Sequence, residues 1–366
     1  MASQEYFAGL MSGTSQDGVN CVLMAFSADS SHQILGKGYV PYNEALRARL
    51  IALHEPHVGE LHEAAVVGNL LAELYAQAVH KAMADAGVPR DSVVATGCHG
   101  QTVRHRPDVG YTIQIGNSAL LAELTGIPVV SDFRSRDIAA GGEGAPLVPA
   151  FHQAWFSDGR THRVILNIGG IANVTDLPPH HPTRGFDTGP GNMLLDAWIQ
   201  RHKSFPFDQD GAWASSGQVN DALLDRMLMH EYFRRPPPKS TGRDTFNLGW
   251  LSQYLSGKEK AEDVQATLQA LTIVSIAHSI AAHCAGAGEV YVCGGGAHNT
   301  ALVAGLRAAL PGRHVGVTNE LGIDADWVEA CAFAWLARQA LRSIPGNLPA
   351  VTGARGPRVL GAIYPR

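Results

Sequence analysis

Two kinds of apolar pattern take turns along the chain. Alternating or continuous apolar runs predict strands, and stripes with a 3.6-residue period predict helices. YFAGLMSGTSQDGVNCVLMAF (6–26) sets two apolar arms around a polar centre, a hairpin. Residues 29–58 predict a further strand and a short helix. Glu60–Ala86 carries a helical stripe that stops at Gly87-Val88-Pro89. SVVATGCHGQTV predicts a β-branched strand stopped by Gly97, with His99 and Gln101 just beyond it. TIQIGNSALLAELTG reads strand, turn, helix, and PVVSDFR reads as a short buried strand.

SRDIAAGGEGAPLVPA (135–150) is a Gly/Pro-rich crossing segment, after which the pattern restarts. THRVILNIGGIANVTDL is again strand, small-residue turn, strand, with Gly169-Gly170 at its centre. RGFDTGPGNMLLDAWIQ predicts a turn opening a helix, and 264–287 a long helix. EVYVCGGGAHNTALVAGLRAAL is strand, triple glycine, helix. GIDADWVEACAFAWLARQAL is a helix capped by Asp324 or Asp326, and the tail ends in a short strand. Alternating strands and helices predict an α/β class, here as domains of 1–134 and 135–366, with the tail packing back on the first. Similar hairpins opening both regions suggest a duplicated architecture, although two unrelated hairpins give the same strings.

Composition narrows the function classes. The chain has 366 residues, 45% hydrophobic and 17% charged, with a formal net charge of −5. That balance gives no electrostatic case for nucleic acid or an anionic membrane surface. Five scattered cysteines without a CxxC pair fit a reducing compartment better than a disulfide framework or a zinc site. The start lacks Lys or Arg before its apolar residues, and no apolar run is expected to span a bilayer, so a cytoplasmic protein is predicted. Seventeen histidines without HxxxH or HExxH spacing predict no histidine metal site.

Several stretches carry candidate chemistry. Backbone N–H groups around Gly13 and Gly18, with the hydroxyls of Ser12, Thr14 and Ser15, suit a polyphosphate. Asp17 would repel a bare anion and makes sense beside a divalent cation. A polar hairpin loop accounts for the same residues more blandly. CGGGAHN (293–299) lies between strand and helix, where glycines admit a nucleotide. A dinucleotide reading, with Glu320 as ribose acid, is weakened because Asn299 stands where GxGxxG needs its third glycine. Asp187 either caps its turn or is a positioned general base. Glu329, on a mostly apolar helix, either faces solvent or is buried for a role. Arg134, Arg136 and the run Lys239-Ser240-Thr241-Gly242-Arg243 are anion contacts or plain surface charge.

GLMSGTSQDG, GCHGQTV, IQIGN, DFRSRDIAAGGEGAPLVPAFH, LNIGGIANV, GFDTGPGNMLLDAW, PKSTGRDTFN, CGGGAHN and EACAFAWLA occur together in this order. In this the chain resembles the anhydro-N-acetylmuramic acid kinases of bacterial cell-wall recycling, over nearly its whole length. The resemblance implies two actin/hexokinase/Hsp70-like (ribonuclease H-like) domains around a nucleotide cleft. It also implies ATP-dependent opening of the 1,6-anhydro ring with phosphorylation at O6, giving N-acetylmuramic acid 6-phosphate and ADP. ATP and Mg²⁺ are then held by Gly13, Thr14, Ser15, Gln16, Asp17, Gly18, Val19 and Asn20, with Gly169, Gly170, Gly294, Gly295 and Gly296. Asp17 is the magnesium-side acid, directly or through water. Asp187 becomes the base that activates water against C1, with Glu329 assisting, and His99, Gln101 and Arg134 meet the sugar. A homodimer is implied as well. The family's opening motif usually reads DGxD, whereas this chain has Asn20 at the second acid, which keeps a hydrogen-bonding side chain and loses the charge. A kinase for another sugar, a non-catalytic nucleotide switch and a nicotinamide dehydrogenase are the competing readings.

Overall fold

The computed structural model describes residues 4–13, 16–27 and 32–366. The chain divides into two compact units, Met1–Phe151 with Trp327–Arg366, and His152–Asp326. In the first, β1 (Glu5–Met11), β2 (Gly18–Phe26) and β3 (His32–Pro41) form an antiparallel meander. β4 (Val93–Cys98) then pairs parallel with β1. β5 (Gln101–Arg106) and β6 (Tyr111–Ile115) make a separate ribbon, and β7 (Val129–Ser131) pairs parallel with β4. In the second unit β8 (Arg163–Ile168), β9 (Ile171–Leu177) and β10 (Arg184–Pro190) form another antiparallel meander. β11 (Glu289–Cys293) pairs parallel with β8, and β12 (His314–Val317) parallel with β11. Both sheets therefore repeat one design, a three-stranded meander extended by two parallel strands from its first member. That repeat favours duplication over two unrelated hairpins, and it is the sheet expected of the actin/hexokinase/Hsp70-like class. The last strand, β13 (Ala362–Tyr364), runs antiparallel to β7 at the edge of the first sheet.

Helices cover the sheets because each presents one apolar stripe. Glu60–Ala86 buries Val67, Leu71, Tyr75, Val79 and Ala82, spaced three or four apart, against β2 and β3. It ends at Gly87, whose left-handed φ of 64° directs its N–H back to Ala84 O. On β1 and β4 lies Val328–Leu341, and the approach is close enough to require glycine. A Cβ on Gly9 would sit 2.0 Å from Ala330 O, and one on Gly97 2.0 Å from Phe333 O. In the second unit Ala261–His283 packs on β9 and β10. By length and composition that helix could cross a membrane, against the sequence expectation, but 72% of its apolar window is buried within the protein. It is a core helix, interrupted by Thr, Gln, Ser and His.

Three local expectations are corrected. The segment 135–150 contains the helix Ser135–Ala139 and opens the helix Val148–Phe156, and it belongs to the first unit. The cause is Asp137, fully buried, which accepts from Gly144 N (2.8 Å), Asn347 Nδ2 (2.6 Å) and Thr352 Oγ1 (2.8 Å) and so fastens this segment to the tail. RGFDTGP is strand rather than turn. As an edge strand, β10 tolerates Gly189 and Pro190, with a register shift against β9 between Asp187 and Gly189. Neither Asp324 nor Asp326 caps Val328–Leu341. Trp327 occupies its N-cap without a side-chain bond, while Asp326 meets His298 Nε2 at 2.7 Å.

Candidate active site

In the first unit the turn between β1 and β2 is built from beneath. Tyr42 OH donates to Ser12 Oγ (2.8 Å), Ser12 Oγ donates to Gln101 Oε1, and Gln101 Nε2 donates to Gly13 O at 3.2 Å. Gln101 is therefore only 1% exposed, with both ends of its amide spent on the turn. Gln16 adopts a positive φ of 54°, its N–H donates to Gly13 O (3.3 Å), and its side chain lies 3.4 Å from His54 Nε2. Asp17 is exposed, and its carbonyl accepts from Tyr42 N (2.9 Å) and Tyr39 OH (3.1 Å). Val19 is wholly buried, so only its backbone can face a ligand, and Asn20 sits opposite Met11. Gly18 has a packing reason, since a Cβ there would lie 2.6 Å from the Tyr39 ring. Thr14 and Ser15 lie outside the described residues.

His99, just past β4, and Arg134, just past β7, meet in the same unit. Arg134 Nη2 approaches His99 Nε2 at 2.9 Å, and its Nη1 donates to Gly144 O at 2.8 Å. Burial, with the neighbouring guanidinium, lowers His99 to a pKa of about 3, so its ring is neutral and accepts from Arg134. Burial also lowers Arg134 to about 10, opposed by the carboxylates of Glu329 and Asp137. Glu329 is raised by burial and pulled back down by Arg134. Glu329 is partly buried, between the solvent-face and the buried reading.

The second unit carries the other candidates. The turn Gly169-Gly170 is tied to the helix Met193–Lys203, with Asn192 N donating to Gly169 O (2.8 Å) and Gly191 N to Gly170 O (2.9 Å). A Cβ on Gly169 or Gly170 would meet nothing nearer than 3.7 Å. Packing thus gives no reason for glycine there. The triple glycine divides the same way. A Cβ on Gly294 would sit 2.3 Å from Asn167 Oδ1 and one on Gly296 2.4 Å from Ile168, while Gly295 has only Asn192 Nδ2 at 3.9 Å. Asn299 caps the following helix through Leu302 N at 2.9 Å, and Glu320 is engaged by Val317 N and His314. Glu320, the ribose acid of the dinucleotide reading, is thus already engaged within its own turn.

Asp187 stands on the edge strand β10 under a strap formed by residues 232–241. Its N–H donates to Lys239 O (3.0 Å), its carbonyl accepts from Tyr232 OH (2.8 Å), and its Oδ2 accepts from Thr241 N (2.9 Å). Burial raises the carboxyl to a pKa of about 6, against the Thr241 hydrogen bond and the Lys239 charge, which lower it. A carboxylate half-protonated near pH 6 can take a proton from water. Lys239, read from sequence as an anion contact or surface charge, is 7% exposed, with its ammonium 4.7 Å from the Tyr232 ring. Sequence reasoning missed its link to Asp187. The signal was a lysine flanked by prolines and small residues, a poor match to a solvated charge run.

The profile of the family described as "Anhydro-N-acetylmuramic acid kinase" matches residues 5–366. An anhydro-N-acetylmuramic acid kinase from Nitrosospira multiformis is 57% identical over 98% of this chain and 99% of its own. One from Thiobacillus denitrificans is 56% identical over 99% and 97%. Among solved structures, the activator of the 2-hydroxyisocaproyl-CoA dehydratase from Clostridium difficile is 13% identical, with a TM-score of 0.43 over 93% of this chain and 98% of that one. A ROK family glucokinase from Streptomyces griseus is 14% identical at a TM-score of 0.41 over 91% and 99%. Both likenesses are too distant to bear on the chemistry. Full-length matches at more than half identity decide the question: the chain belongs to the anhydro-N-acetylmuramic acid kinase family, phosphotransferases that use ATP.

Proposed function

We propose that Asp187 is the general base of ring opening. Water attacks C1, the C1–O6 bond breaks, O6 takes the γ-phosphoryl group of ATP, and Asp187 receives the proton of the water. The observation that carries this reading is the Asp187 carboxyl itself: partly buried, Oδ2 fixed by Thr241 N–H, Oδ1 without a hydrogen bond among the described residues, and raised by burial to a pKa of about 6. In the first unit we assign Glu329 an accessory acid–base role, and His99 and Arg134 contacts to the sugar. Gln101 supports the β1–β2 turn from below, so it acts on the nucleotide through that turn.

The nucleotide reading is supported by the uncrowded glycines 169, 170 and 295 and by the hydrogen bonds that hold Ser12, Gly13, Gln16 and Asp17. Among the described residues no three His, Cys, Asp or Glu side chains are grouped to hold a metal. Magnesium, which takes few protein ligands and several phosphate oxygens, fits a single exposed carboxylate such as Asp17. When bound it neutralises charge on the transferring phosphoryl group. A homodimer and a cytoplasmic location complete the proposal; the latter is supported by five cysteines that are all buried free thiols. The test is incubation with Mg-ATP and 1,6-anhydro-N-acetylmuramic acid, with the product identified by mass. N-acetylmuramic acid 6-phosphate is expected from the wild type and its near absence from Asp187→Asn. A phosphorylated sugar with the anhydro ring intact would refute the hydrolytic step.

A further inference from the structure

β10 is an edge strand, and an edge strand offers unpaired backbone groups that proteins normally cover. Here the cover is the strap 232–241, and its bonds converge on one residue: Asp187 N–H, Asp187 O and Asp187 Oδ2 are each taken by it. The strap is itself anchored. Tyr232 and Phe246 pack edge to face at 5.6 Å, and Phe246 on Trp250 at 5.0 Å, inside the aromatic core of the second unit. Lys239 lies within this cover, its ammonium 3.4 Å from Tyr232 O and over the Tyr232 ring. Burying an ammonium beside one carbonyl and a ring, with no carboxylate in direct contact among the described residues, is costly unless its charge serves a neighbour.

We propose that Lys239 is a positioning residue, a buried cation that the strap fixes beside Asp187 to keep its carboxylate ionised near neutral pH. The proposal rests on Asp187 being the base. The groups facing Asp187 are few. Asn173 is opposite on β9, and from the strap come Thr241 N–H, Tyr232 and Lys239. Arg235 bears on Lys239 and Tyr232, and His283 at the end of Ala261–His283 is influenced by Lys239 and Arg184. Further along β10, Arg184 is occupied by Asp176. Lys239, whose carbonyl accepts from Asp187 N–H at 3.0 Å and whose ammonium packs on the Tyr232 that also bonds Asp187, is thus a cation of the strap whose charge opposes the burial of Asp187.

The experiment is the pH dependence of kcat in wild type, Lys239→Gln, Lys239→Arg and Asp187→Asn. Removing an adjacent opposite charge raises a carboxyl pKa by about 1 unit or more. The acid limb in Lys239→Gln should therefore move up from near pH 6. The ratio of rates at pH 8 and pH 6 then grows from about twofold to about tenfold, whatever the plateau height. Lys239→Arg, which keeps the charge, should hold the limb near its wild-type position. A lower plateau with an unmoved limb in Lys239→Gln would show a merely structural lysine and overturn the proposal. Should Lys239→Gln not fold, the ¹³C-detected titration of the Asp187 carboxyl in Lys239→Met and wild type reads the same shift, and identical midpoints overturn it. If the limb survives in Asp187→Asn, the base assignment itself fails, which is a distinct outcome.

Discussion

Asp187→Asn should abolish turnover while making the protein more stable above pH 6. The substitution keeps the size of the side chain and an oxygen for Thr241 N–H (2.9 Å), but it cannot accept a proton. General-base assistance is worth about 10²–10⁴-fold, or about 3–5 kcal/mol of barrier. The stability effect follows from the raised carboxyl pKa, about 6 against an ordinary 3.8. A raised folded-state value means that the folded protein holds its proton more tightly than the unfolded chain does. Stability from this group is fully present below pH 3.8 and is lost as pH rises through about 6. The full loss corresponds to about 3 kcal/mol, and Asn, being neutral, avoids it. The Lys239 charge is already contained in that net shift, so the expected gain at pH 8 stays at about 3 kcal/mol. At roughly 2–4 °C per kcal/mol, Asp187→Asn should melt several degrees above wild type at pH 8 and level with it at pH 4. Scanning calorimetry across that range, beside ADP release in the presence of sugar, measures both halves. Turnover within tenfold of wild type would refute the base assignment. A variant that melts lower at pH 8 than at pH 4, relative to wild type, would refute the burial argument.

Three further outcomes are expected. Gly97→Ala forces a Cβ to within 2.0 Å of Phe333 O, so it should cost at least about 1–3 kcal/mol and lower the melting temperature by several degrees; an unchanged melting curve would show that Val328–Leu341 shifts freely on β4. Gln101→Ala releases Ser12 and Gly13 and should raise the KM for ATP about tenfold with little change in that for sugar, whereas the opposite pattern would restore a direct sugar contact. Asp17→Ala should raise the magnesium concentration needed for half-maximal rate more than it weakens sugar binding, and an unaltered magnesium curve would remove Asp17 from the metal site.

Local pattern was enough for most of the elements. Periodicity placed Glu60–Ala86 and its glycine stop, because a stripe of Val67, Leu71, Tyr75 and Val79 is written in the chain itself. The paired hairpins and the ordered motifs were likewise sufficient for the α/β class and the family, since both depend on residue identity and order. Only tertiary structure decided what each side chain is used for. Asp137 and the tail are some 210 residues apart in sequence yet share hydrogen bonds, so the extent of the first unit could not be read locally. Asp187 looked like a turn residue because TGPG is turn chemistry, and only edge pairing with β9 makes it a strand. The resemblance alone implies that Gln101 meets the sugar, and only the fold shows its amide bonded to a turn 88 residues earlier. Glycines carry no signal that separates packing from ligand approach. Gly294 and Gly296 are crowded by β8 and Gly295 is not, a difference that exists only once the strands are side by side. Lys239 shows the same limit for charge: its cost and its use both arise from burial beside Asp187, and burial is a property of the folded chain.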